Sequence, residues 1–118
     1  MTLREFYTAV DGDYEDAAGR LPGDAFLLRF LRMLPKDGSM AQLTAAMASG
    51  SAETAFRAAH TLKGIALNLS LTALADACAA MTEALRGSAV MPESAPALYD
   101  AVVREYGRTV EALDRLEA

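Results

Sequence analysis

Tryptophan is absent from this 118-residue chain, and histidine and cysteine occur once each, as His60 and Cys78. A lone cysteine closes no internal disulfide, which suits a reducing compartment, and no metal-ligand spacing surrounds it. In its Ala-rich segment Cys78 reads as a small buried apolar group. One histidine and one cysteine on different segments cannot assemble a histidine-rich zinc site or a Cys-His hydrolase. The glycines are scattered, with Gly64 and Gly87 isolated, so no phosphate-cradling loop is available for ATP and a kinase is excluded. No serine sits at a strand-to-helix elbow of the kind a hydrolase triad uses.

Positive charge is also scarce: 11 Lys and Arg face 16 Asp and Glu, for a net charge of -5. Nucleic acid is therefore not an expected partner, because binding it relies on basic surface that displaces counterions. No stretch approaches the roughly 18 uncharged apolar residues of a membrane span. The first ten positions, with Arg4 and Glu5 among them, hold no apolar block of signal-peptide length. A soluble, cytoplasmic protein is expected. The length suits one domain over residues 1–118, a size that buries about two-thirds of the surface its unfolded chain exposes.

What is abundant is Ala and Leu at three- and four-residue intervals, without the β-branched alternation of strands, so the chain reads as all-helical. Thr2 and Glu5 form a capping box for a short helix ending near Val10. Asp13 caps a second, reaching about Leu21, and Pro22-Gly23-Asp24 separates it from a third with Phe26, Leu27, Phe30, Leu31 and Leu34 on one stripe, stopped by Pro35. Ser39 and Gln42 spell a second capping box, opening a helix with Met40, Leu43, Ala46 and Met47 inward, which Gly50 closes. Ser51 caps the helix that carries His60 to about Leu69. After a break at Ser70 a further helix spans Leu71 to Arg86, with Leu74, Ala77, Cys78, Met81 and Leu85 inward. The last begins near Ser94, accepts Pro96 in its first turn, and continues to the C-terminus with Leu98, Val102, Tyr106, Val110, Leu113 and Leu116 inward. Short loops between substantial amphipathic helices predict an antiparallel four-helix bundle with additional short N-terminal helices. Tyr7, Tyr14, Tyr99 and Tyr106 read as core or rim packing.

His60 breaks that inward pattern. At about 100° per residue, Ala55, Ala58, Ala59, Leu62, Ile65, Ala66 and Leu69 share one arc, and His60 points about 160° from its centre. Phe56 lies one turn before it, Lys63 and Gly64 one turn after, and Leu67 two turns after. An imidazole so placed is a nucleophile toward a group that another molecule delivers. A phosphoryl group suits the surroundings, because Lys63 can neutralise its oxygens and Arg57 adds to the same positive field. Gly64 presents no side chain to obstruct a partner, and Phe56 and Leu67 supply an apolar rim of the sort that marks binding surfaces.

The run Ala59-His60-Thr61-Leu62-Lys63-Gly64, followed by Asn68-Leu69 and Leu74, closely resembles the signature of histidine-containing phosphotransfer (HPt) domains of bacterial two-component phosphorelays. The resemblance implies that His60 is the phosphoacceptor, reacting at its distal Nε2, with Lys63 stabilising the phosphoryl group and Gly64 permitting docking. It further implies receiver domains as partners, a histidine kinase as a further candidate, no kinase activity and no cofactor of its own, and Mg²⁺ held by the receiver. The direction of phosphoryl flow stays open. Two positions depart from the family pattern: Ser70 stands where a glycine usually ends the helix, and Leu67 where a smaller residue is common. A serine in left-handed geometry costs on the order of 1 kcal/mol, unless it caps the next helix instead. Leu67 bears on partner choice rather than on chemistry. A monomer is expected. The alternative is a binding-only adaptor that docks a kinase or response regulator without being phosphorylated.

Overall fold

A computed structural model describes residues 1–116. Seven α-helices account for most of it: α1 (Leu3–Ala9), α2 (Tyr14–Arg20), α3 (Asp24–Met33), α4 (Ser39–Ser49), α5 (Ala52–Asn68), α6 (Thr72–Leu85) and α7 (Ala95–Asp114), with a 3₁₀ turn at Leu34–Lys36 between α3 and α4. No strand occurs among the described residues. The protein is a helical bundle in which α4 packs on α5, α5 on α6 and α6 on α7.

Several helix ends form by the local chemistry their residues imply. The Thr2 hydroxyl accepts from Glu5 N–H at 3.1 Å while the Glu5 carboxylate accepts from Thr2 N–H at 2.8 Å, a complete capping box. Asp13 and Ser51 cap α2 and α5 through their side chains, and Gly50 closes α4 in the left-handed region at φ 75°. Pro35 lacks an N–H, and the chain tightens there into the 3₁₀ turn.

Two local expectations are corrected, and the alternative left open at Ser70 is decided. The Ser39–Gln42 box does not form: Gly38 is the cap residue and Ser39 is already helical, so Gln42 falls one position too far along to reach back. Asp37 takes over, its carboxylate accepting from Ser39 N–H at 2.8 Å. Ser70 does not cap the following helix, because the cap residue there is Leu71 and makes no side-chain bond. Ser70 instead adopts the left-handed conformation, φ 54°. Finally, α7 ends at Asp114; Leu116 is buried beyond the helix, and the expectation for residues 117–118 lies outside the described residues.

The core is filled by Phe6 and Tyr7 from α1, Leu27 and Leu31 from α3, Leu43, Leu62, Leu74, Met81, Leu85 and Val102, all essentially closed to water. Each apolar side chain of this size contributes about 1.5–3 kcal/mol on burial. The inner face of α5 is mostly alanine, Ala55, Ala58, Ala59 and Ala66 around Leu62, so its neighbours approach closely and hold the helix along its length. Several positions expected inside are only half-buried, among them Met40, Met47, Ala77, Leu98, Tyr106 and Val110, while Thr82 and Thr109 are buried. Both threonines satisfy their hydroxyls on carbonyls one turn back, Cys78 O and Glu105 O, at 2.7 Å.

Candidate functional site

His60 is exposed near the middle of α5, on the side away from its alanine face. Among the described residues none bonds either imidazole nitrogen. The ring's neighbour is Phe56, half-buried, with centroids 5.9 Å apart and planes at 48°. Lys63 and Gly64 are half-buried one turn on, and Leu67 is 52 % exposed beyond them. The five residues Phe56, His60, Lys63, Gly64 and Leu67 therefore share one outward face. Arg57 is also exposed, but it pairs with Glu53 at 3.7 Å rather than adding a free charge beside the histidine.

Gly64 has a reason that the fold does not supply. A methyl group built on its Cα meets nothing within 4 Å, so no packing constraint requires glycine there. A mid-helix glycine costs about 1 kcal/mol relative to alanine. What glycine gains is an unobstructed backbone beside His60.

Two features of this surface were invisible in the sequence. On one side of α5, a groove of about 650 Å³ opens between α5 and the α3 end, walled by Phe30, Met33, Ile65 and Asn68, with Arg20 and Lys36 at its margin. Its α5 residues stand about 8–14 Å along the axis from His60. Met33, 53 % exposed on its wall, adds an apolar side chain to the Phe56 and Leu67 that the sequence singles out. On the other side, α6 brings Glu83 and Arg86 against the face. The Arg86 guanidinium lies 5.2 Å over the Phe56 ring. The Glu83 carboxyl is held below its usual range, first by the hydrogen bond from Arg86, then by the charges of Arg86 and Lys63. In sequence Glu83 and Arg86 are an ordinary surface pair at i, i+3, and only the helix register relates them to His60.

The helix that carries the site is anchored at its C-terminal end by α1 and α2. The Tyr7 hydroxyl donates to Leu69 O at 2.6 Å, Asp13 N–H to Ser70 O at 2.9 Å, and Arg20 Nη2 to Leu67 O at 2.7 Å. Ser70 Oγ donates to Asp16 at 2.6 Å and accepts from Arg20. These bonds satisfy carbonyls that a helix end leaves without partners, and they compensate the left-handed backbone at Ser70. Burial pushes the Tyr7 phenol above its ordinary value, so it remains a donor throughout the physiological range. Gly12 belongs to the same joint: a Cβ there would stand 2.7 Å from the Tyr7 ring and 2.9 Å from Ser70 O.

The other singled-out groups are structural. Cys78 is fully buried and its thiol is pushed up to about 12 by desolvation. Tyr14 donates to Asp24 at 2.6 Å, and Tyr99 shares a hydrogen bond with Thr44 at 2.8 Å. Among the described residues no three His, Cys, Asp or Glu side chains gather as a metal site, and no helix is long and apolar enough to cross a membrane.

The model of one known family, the Hpt domain, matches residues 25–118, from α3 onward. No curated protein and no solved structure matches the chain.

Proposed function

The chain belongs to the Hpt domain family, whose members are helical phosphocarriers of phosphorelays with no kinase activity of their own, and from that premise we propose that His60 carries the phosphoryl group. The observation that bears most weight is a single unbonded imidazole, exposed at mid-helix, with Lys63 one turn away and open space over Gly64. Its partners are receiver domains, with a histidine kinase as a further source of phosphate.

In the forward step the lone pair of the distal imidazole nitrogen attacks phosphorus of a receiver's aspartyl phosphate. The N–P bond forms as the acyl P–O bond breaks, and the aspartate leaves as carboxylate. The reverse sequence delivers the group to a second receiver. Such transfer depends on placement and charge more than on covalent catalysis, so a nucleophile on an anchored helix is a sufficient contribution from this side. Lys63 meets the charge on the transferring oxygens, and the receiver contributes its own Mg²⁺. Phe56, Leu67 and the groove between α3 and α5 offer the apolar surface on which the receiver rests.

Intact-mass measurement after incubation with receiver domains charged by acetyl phosphate tests the reading. The parent chain gains an acid-labile, base-stable phosphate and His60→Gln gains none. Labelling that persists in His60→Gln refutes the assignment, and tight binding of a charged receiver without transfer points to the adaptor.

A further inference from the structure

The facing helices α5 and α6 bring a second cation to the Phe56 ring that adjoins His60. Phe56 faces Arg86, and the Lys63 charge acts on Glu83. The two helices thus run in opposite directions here, and Arg86 and the imidazole are neighbours of the same Phe56 ring, 5.2 and 5.9 Å from its centroid. Its guanidinium is already occupied: Nε and Nη2 donate to the two carboxylate oxygens of Glu83 at 3.3 and 3.1 Å. Both side chains are largely in water, 51 % and 66 % exposed, and an exposed pair of this kind is weakly held against a stronger anion.

The geometry points to Arg86 as a phosphoryl-binding residue of this site, with Glu83 as its placeholder. When a phosphoryl group reaches His60, the guanidinium leaves Glu83 and forks onto two phosphoryl oxygens. The fork matches phosphate as well as carboxylate, and the phosphoryl group carries more charge. Packing on Phe56 keeps the arginine close to the imidazole throughout, so little conformational freedom is lost in the exchange. Lys63 supplies a point charge and Arg86 a directional clamp. Glu83 acts with the opposite sign, since it occupies Arg86 and repels an arriving anion.

This inference rests on the phosphocarrier reading, and phosphoramidate separates the two because it needs no receiver. The imidazole lone pair forms the N–P bond, the donor's own P–N bond breaks, and ammonia leaves with the hydrogens its nitrogen already carried. Labelling rates are followed by intact mass, with His60→Gln as the blank. Arg86→Gln is expected to label about fivefold more slowly, on the order of one charge-assisted contact near water. Arg86→Lys falls between that variant and the parent, because an ammonium keeps the charge and loses the fork. Glu83→Gln labels faster than the parent. Were the pair merely structural, Arg86→Gln and Glu83→Gln would break the same contact and move together; that result overturns the proposal, as does an unchanged rate in Arg86→Gln. A parent chain that takes no label from phosphoramidate or from charged receivers overturns the carrier reading and the clamp together.

Discussion

Gly64 and Gly12 mark two regions of the protein built on opposite principles. Around Gly64 the surface of α5 is left unfinished: among the described residues the imidazole has no hydrogen-bond partner, Leu67 faces water, and a side chain at the glycine would touch nothing. Around Gly12 every group is engaged, with Tyr7, Asp13, Asp16 and Arg20 all bonded to the last turn of α5 or to Ser70, and a side chain would collide with ring and backbone. The same residue type is thus required by the fold in one place and superfluous to it in the other. The contrast shows how a helix can offer a reactive group without losing its position: the end is fastened, and the presenting face is kept free of internal partners.

Substitutions can break this contrast. The largest effect falls on the open region, where His60→Gln is expected to abolish phosphorylation entirely while the circular dichroism spectrum and the urea midpoint stay at parent values. Gly12→Ala should do the reverse, losing about 1–3 kcal/mol of stability by overpacking against Tyr7 and Ser70 O, read as a lower urea midpoint, while phosphoramidate still labels the folded fraction. Gly64→Ala sharpens the comparison further: the helix gains up to about 1 kcal/mol and the midpoint rises, and transfer from a receiver slows although labelling by phosphoramidate does not. A midpoint that falls in Gly64→Ala would mean that the glycine serves the fold after all.

The smallest effect at neutral pH belongs to Cys78, in the helix that backs the site. Its thiol is pushed from an ordinary value of 9.0 up to about 12 by burial. The folded state therefore binds the proton more tightly than the unfolded one. Stability from this group is complete below pH about 9 and is lost as pH rises toward about 12. Urea titrations across that window should show a steeper decline for the parent than for Cys78→Ala. A thiol-alkylating reagent at neutral pH should modify the chain only as it unfolds.

Features set by local rules were legible in the sequence. The phase of His60, the Thr2–Glu5 box, the Asp13 and Ser51 caps and the Gly50 stop each depend on residues within one turn, and each appears in the fold. The Ser39 box failed because Asp37, two positions earlier, offered a competing acceptor and moved the helix start. Glu83, Arg86 and the groove beside Ile65 were not legible, since they exist only through the register of one helix against another. The anchoring of α5 was hidden for the same reason. Ser70 could be recognised as a departure, but the three side chains that accommodate it, Tyr7, Asp16 and Arg20, come from far away in the chain.

That distance has a consequence for how the protein is made. Helices α1 and α2 have seven residues each, too short to persist alone in water. Their partners are Leu69 and Ser70, and Arg108, which donates to Asp11 at 3.0 Å and to the carbonyls of Ala9 and Val10. During translation α1 and α2 leave the ribosome before α5 and α7, so their last contacts wait for residues made about 50 to 100 positions later. Helices α1 and α2 are therefore among the last elements to become ordered, and the site helix receives its final fastening when α7 arrives.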